Sequence, residues 1–137
     1  EIIAQPNSQL SLAASIGYND ATFDEFNTGT NDFSGNPFAL APEWTGSVRA
    51  AYEFENGFFV SGNAVYVDDR FQFERAVNAL EPYTVANGRL GYRSEHFTAA
   101  VFVNNLFDEE YLTQNRSTIF STVGNPQTVG ASLTVNW

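Results

Sequence analysis

Carboxylates are the chemically most versatile groups in this chain, and they are unevenly placed. Asp20, Asp24, Glu25, Asp32, Asp68, Asp69, Glu74, Glu81 and the run Asp108-Glu109-Glu110 fall in or beside segments poor in strand-forming residues. Oxygen clusters bind hard cations such as Ca²⁺, but a dedicated loop needs ligands at fixed spacing over about twelve residues. No such spacing is present, which favours a solvated acidic surface. Divalent ions bridging these carboxylates to phosphate groups are the lesser reading. The single His96 sits beside Glu95 in a turn that supplies neither a nucleophile nor an orienting partner for base catalysis. No nucleophile elbow or phosphate-cradling loop is present, and no catalytic, cofactor-binding or metal-ligating residue is assigned, so the expectation is not an enzyme. The absence of cysteine removes disulfides and thiolate sites, and one histidine rules out a multi-histidine metal centre.

The cations are six arginines with no lysine, against sixteen Asp and Glu, for a formal net charge of −10 over 137 residues. Nucleic acid is therefore an improbable partner, since phosphate contacts need clustered Lys and Arg. The arginines have a pattern instead. Arg49, Arg89 and Arg93, together with Glu53, Asn63 and Asn87, occupy every second position of segments whose intervening positions are apolar. Side chains of an extended strand alternate faces with a period of two, so these residues share one face.

The last ten residues carry the clearest alternation. Val129, Ala131, Leu133, Val135 and Trp137 fall on one side, and Thr128, Gly130, Ser132, Thr134 and Asn136 on the other. The same two-residue rhythm runs through Leu10 to Tyr18, Val48 to Phe54, Phe58 to Tyr66 and Ala86 to Tyr92. A further segment, Phe97 to Phe107, is apolar on both faces at first, which leaves its orientation open. No segment holds an apolar stripe at helical spacing, and no apolar run approaches the ~20 residues of a spanning helix. The opening Glu-Ile-Ile-Ala reads as the tail of a strand already under way, in a mature fragment or the end of a longer polypeptide.

The connections alternate in length. Gln5-Pro-Asn-Ser8, Glu55-Asn-Gly57 and Ser94-Glu-His96 have the composition of tight turns. Between them lie longer links, from Asn27 to Glu43, Glu74 to Pro82, and Gln114 to about Gln127. All tight turns therefore lie at one end of the sheet and all long links at the other. An up-and-down membrane barrel has this asymmetry, along with aromatic girdles at both ends of strands of about 9–11 residues. Aromatics near both ends of several segments fit such girdles, whereas Tyr83 lies out of phase with the apolar set of its own strand.

Tyr83-Thr-Val-Ala-Asn-Gly-Arg-Leu-Gly-Tyr92 and Val101-Phe-Val-Asn-Asn-Leu-Phe-Asp-Glu-Glu-Tyr111 resemble the end of TonB-dependent outer-membrane receptors. In that family an Asn-Leu-Phe-Asp-x-x-Tyr stretch, here Asn105, Leu106, Phe107, Asp108 and Tyr111, lies in the penultimate strand. Ala41-Pro-Glu-Trp-Thr-Gly46 also resembles the family's entry into a descending strand. The resemblance implies energised uptake of a scarce nutrient, such as a siderophore-metal chelate, vitamin or oligosaccharide, across a Gram-negative outer membrane. It implies as partners outer-membrane lipid and lipopolysaccharide, the remainder of the barrel with its plug, and the TonB energy-coupling protein acting through that plug. Gly130, Leu133, Val135 and Trp137 match the family's C-terminal signal for the barrel-assembly machinery. The plug and its TonB-contacting box have no counterpart among these residues.

The expected fold is therefore all-β: an antiparallel up-and-down transmembrane β-barrel, of which residues 1–137 are one C-terminal block. That block is about six strands of a barrel that has about twenty-two in the family. Arg49, Asn63, Asn87 and Arg89 are the expected lumen-facing residues, because Arg facing lipid at the midplane costs ~2–4 kcal/mol. Two other readings stand beside it: a passive or self-assembling pore, and a soluble β-sandwich binding module whose apolar faces pack on each other.

Overall fold

A computed structural model describes residues 1–73, 79–115 and 120–136. Its principal sheet has seven strands: β1 (Ile2–Ala4), β2 (Leu10–Tyr18), β3 (Trp44–Glu53), β4 (Phe58–Val67), β7 (Tyr83–Arg93), β8 (Phe97–Asn104) and β11 (Thr128–Val135). Every neighbouring pair is antiparallel, and the spatial order follows the chain order. Two small ribbons sit within the long links: β5 (Arg70–Phe71) with β6 (Ala79–Leu80), and β9 (Leu112–Asn115) with β10 (Ser121–Val123). The short β1 raises the principal sheet above the expected six strands, and it lies where the opening Ile2-Ile3-Ala4 read as a strand tail.

Each tight turn is closed by a side chain. Asn7 Oδ1 accepts from the amides of Gln9 and Leu10, at 2.9 and 2.8 Å. Asn56 Oδ1 accepts from the Phe58 amide at 3.3 Å, and Ser94 Oγ accepts from the amides of His96 and Phe97. In the three tight turns, Gly57, at φ 89°, is the residue whose backbone requires glycine. A Cβ there would lie 2.6 Å from the Arg93 carbonyl oxygen of the adjacent strand. Such side chain–backbone bonds are the reason Asn and Ser dominate turns.

Register decides the faces. Ala14, Val48, Ala64 and Ala86 form one cross-strand row, and Leu12, Ala50, Gly62 and Gly88 another. The ambiguous fifth segment is settled by its neighbours. Leu90 pairs Val101, which pairs Ala131, so Phe97, Ala99, Val101 and Val103 join the apolar face. That strand stops at Asn104 rather than running to Phe107, because Asn105 adopts φ 52° and turns the chain out of the sheet.

The sheet is a single layer. Phe33, Leu80 and Ala100 are the buried hydrophobic side chains among the described residues, and Ile16, Val48, Val101, Val129, Leu133 and Val135 are all exposed. A β-sandwich would have covered these residues with a second sheet, so the soluble alternative is not the architecture. Aromatic rings meet laterally at both margins of the apolar face. Tyr18 packs on Trp44 at the long-link end, with ring centroids 4.6 Å apart. At the tight-turn end Tyr52 packs on Phe54, and Phe58, Tyr92 and Phe97 form a chain of contacts.

The neighbours Ser47 and Val48 point to opposite faces near the middle of β3, which gives a direct test. In the whole protein refolded into lipid vesicles, Val48→Arg should lose about 2–4 kcal/mol in a urea titration. Ser47→Arg should lose less than about 1 kcal/mol. Equal losses would refute the face assignment.

Candidate functional site

The four charged side chains of the principal sheet, Arg49, Glu53, Arg89 and Arg93, all lie on its polar face. Arg49, Asn63 and Asn87 occupy one cross-strand row, and Ser61 pairs Arg89 in the next row but one. All four of the expected wall residues thus share a face. Asn87 Nδ2 approaches Asn63 Oδ1 at 3.5 Å, the outer limit of a hydrogen bond. Arg89 Nη2 donates to Ser132 Oγ at 3.4 Å, reaching past β8 to β11. Arg93 Nη1 pairs with Glu53 Oε1 at 3.0 Å, with both side chains more than half exposed. An ion pair of that exposure contributes about 0–1 kcal/mol.

Aromatic rings cover glycines on this wall. Phe59 is the register partner of Gly91, and a Cβ on Gly91 would run into the Phe59 ring. The guanidinium groups of Arg89 and Arg93 lie 5.8 and 5.3 Å from the centre of that ring. Such placements favour the ring's negative face. Phe102 lies over its partner Gly130 in the same manner. The glycine of the terminal-strand motif therefore has a local packing reason. Leu133 and Val135 of that motif point to the apolar face, and Trp137 lies outside the described residues.

Asn105 to Asp108 form a corner between β8 and the loop that follows. Asn105 is buried, and every polar group of its side chain is used. Its Nδ2 donates to the carbonyls of Glu109 and Asn125, at 2.9 and 3.0 Å, and its Oδ1 accepts from the Glu109 amide at 2.9 Å. Its own amide donates to Asn87 Oδ1 at 2.9 Å, tying the corner to the wall. Leu106 N donates to Ala86 O, and the Gln127 amide donates to Asp108 Oδ1 at 3.1 Å. Leu106 and Phe107 are exposed, whereas Tyr111 stacks on Tyr83 with ring centroids 4.2 Å apart. The motif is a joint that fixes where the last loop leaves and re-enters the sheet.

Sequence reasoning did not single out Arg70. It is buried, donates through Nη2 to the carbonyls of Leu112 and Thr113, and lies over the Tyr83 ring at 5.3 Å. Gln72 beside it accepts from the Asn115 amide at 2.8 Å. These contacts pin β9 against β5. The signal available was the out-of-phase Tyr83, an aromatic on the polar face that needs a cover.

The acidic residues do not assemble. Among the described residues no three His, Cys, Asp or Glu side chains converge on a metal site. Glu74 lies outside the described residues. Asp20, Asp24, Glu25, Asp32, Asp69, Glu81, Asp108, Glu109 and Glu110 are exposed and Asp68 is half-buried. Several decorate the arm from 19 to 43, which folds on itself around Phe23, Phe26, Phe33 and Phe38. Within that arm, hydrogen bonds from the Ser34 hydroxyl and amide hold the Asp32 carboxyl below the usual carboxylate range. His96 is exposed in its turn, where its carbonyl accepts from the Asn136 amide.

Residues 4–106 match the family model described as "TonB dependent receptor-like, beta-barrel". The metal-pseudopaline receptor CntO of Pseudomonas aeruginosa is 29% identical over 140 residues, which covers 97% of this chain and 19% of the receptor. Two solved receptors of Acinetobacter baumannii share the fold. The ferric preacinetobactin receptor BauA superposes with a TM-score of 0.80 at 19% identity, over 96% of this chain and 20% of its own. The siderophore receptor PiuA gives 0.79 at 15% identity, over 96% and 20%. The chain thus spans about a fifth of the length of the relatives it matches.

The corner yields a prediction specific to its side chain. Asn105→Gly keeps the left-handed backbone but removes three buried hydrogen bonds, and should loosen the joint by about 2–4 kcal/mol. Hydrogen exchange at the Glu109 and Gln127 amides of the whole protein should then accelerate at least tenfold. Exchange at mid-strand amides such as Val48 should not change. Unaltered Glu109 exchange would deny the side chain its role.

Proposed function

The chain belongs to the TonB-dependent receptor-like β-barrel family, and from that premise we propose that it is the C-terminal strand block of an outer-membrane receptor for energised uptake of a metal chelate. The observation that carries this reading is the match of residues 4–106 on a one-layered antiparallel sheet with an apolar outer face. Lipid replaces the missing core on that face, and the polar face lines the lumen around the plug of the whole receptor. A metal chelate is preferred among scarce nutrients because the relatives include a metal-pseudopaline receptor, a siderophore receptor and a ferric preacinetobactin receptor.

The parts have separate roles in this reading. The sequence motif of Gly130, Leu133, Val135 and Trp137 is the signal read by the barrel-assembly machinery, to which β11 presents an edge and an alternating face. Arg49, Asn63, Asn87 and Arg89 form lumenal wall, and the Asn105 corner sets the last extracellular loop. The acidic loops face lipopolysaccharide, with divalent ions between the two sets of negative charge. Coupling to TonB runs through the plug, so transport is a property of the whole receptor. Unpaired strand edges are costly in hydrocarbon, so β1 and β11 take their second partners from the rest of the barrel.

The test is uptake by a Gram-negative host that lacks its own siderophore receptors, under metal limitation. Expression of the full-length receptor should restore accumulation of a radiolabelled ferric or other metal chelate, and removal of TonB should reduce it at least tenfold. Restored entry that ignores TonB would identify a passive pore instead.

A further inference from the structure

Among the described residues, burial is concentrated in the long links rather than in the sheet. Phe33, Leu80, Arg70, Gln72 and Asn105 are all buried there. The links that follow β2, β4 and β8 meet on one short strand, β5 and its flank. The carbonyl of Phe71 accepts from the Leu40 amide of the 19–43 arm at 2.7 Å. The residues on either side of Phe71 turn to the last link instead. Arg70 Nη2 donates to the carbonyls of Leu112 and Thr113, at 3.1 and 3.4 Å, and Gln72 Oε1 accepts from the Asn115 amide at 2.8 Å. Three consecutive residues of the middle link thus hold both of the others. Beside them β6 lies against β9, and its Leu80 is 1% exposed.

Each joint carries a local cost. Leu40 has φ 58° at the third position of a turn closed by the Ala41 amide and the Phe38 carbonyl, a place that favours glycine or asparagine. A bulky residue persists in that conformation only where surrounding contacts over-determine it. The bond to Phe71 is such a contact. On the other side, the buried Arg70 guanidinium leaves Nη1 without a partner among the described residues. An unsatisfied buried donor is unfavourable. Arg70 is held against that cost by its two carbonyl bonds and by the Tyr83 ring, 5.3 Å away.

Neither costly conformation survives if the neighbouring links move away, so each joint depends on the other being closed. We infer that the three long links form one cooperative unit at their end of the sheet, opening and closing together, with Arg70, Phe71 and Gln72 as its keystone. Long connections are otherwise the separately mobile parts of a fold. Local opening in proteins follows contiguous cooperative units of this kind. The inference stands on these contacts alone and is independent of what the protein takes up. A partner that engages any one link acts on all three.

Amide hydrogen exchange of the whole protein in lipid vesicles tests the unit from both sides. Arg70→Ala removes the clamp on the last link but leaves the bond between Leu40 and Phe71 untouched. Exchange should nevertheless accelerate at least tenfold at Leu40 as well as at Asn115, because opening is shared. Leu40→Pro removes the amide that reaches Phe71, and Asn115, on the far side of β5, should accelerate by a similar factor. The milder Gln72→Met should move Leu40 and Asn115 in the same sense, by about threefold or more. The Val48 amide in the middle of β3 should keep its rate in all three variants. A far-side amide that keeps its rate would show links that open independently and would overturn the inference. Equal acceleration at Val48 would overturn it too, since the links would then share the opening of the sheet.

Discussion

Backbone pairing in one layer is the constraint on which everything else depends. In hydrocarbon each unsatisfied N–H or C=O costs several kcal/mol, so a chain must satisfy its backbone groups between strands before any side chain matters. The described residues meet that demand with seven strands in chain order, each hydrogen-bonded to the next. They do so with almost no apolar core of their own: Phe33 and Leu80 lie in the loops, and Ala100 is the one buried hydrophobic side chain on the sheet. In a soluble protein that exposure would be unfavourable. Facing lipid, the same Val48, Val101, Val129 and Leu133 are in their preferred solvent.

Register then becomes the main determinant of stability and of function together. A slip of one residue exchanges the two faces of a strand. In β3 it would move Arg49 to the apolar face and Val48 to the polar face. The pairing is held against such a slip by the side-chain caps at the tight turns, Asn7, Asn56 and Ser94, and by the interlocked rings of Phe59 over Gly91 and Phe102 over Gly130. The glycines lower the wall locally and the rings fill the gap. The Phe59 ring also lies under the guanidinium groups of Arg89 and Arg93, so the packing that sets register also positions charge on the polar face.

At the other end, order comes from buried polar groups rather than from short turns. Asn105 joins the wall, through Asn87, to the start and finish of the last loop. Arg70 and Gln72 clamp the ribbon β9 beneath it. Long loops can thus leave the sheet at defined points while carrying exposed acidic residues outward. The two ends of the molecule are built on different physics because a turn of a few residues can be satisfied by one side chain, and a long loop cannot.

The faces of the strands other than β8, the ends of the sheet and the alternation of turns and links were all determined by the sequence alone. Period-two spacing is local, and Arg49, Asn63, Asn87 and Arg89 needed only their own neighbours to be assigned to one side. The Asn105 motif was legible as a resemblance but not as a joint, since its partners Asn87, Glu109 and Asn125 come from three separate stretches of chain. The orientation of β8, apolar on both faces at first, was decided only when Leu90 and Ala131 took their places beside Val101. Burial of Arg70 was likewise a tertiary outcome. A strand carries its own periodicity, but which charge ends beside which ring or carbonyl depends on how far neighbouring strands are shifted, and that is settled only by the assembled sheet.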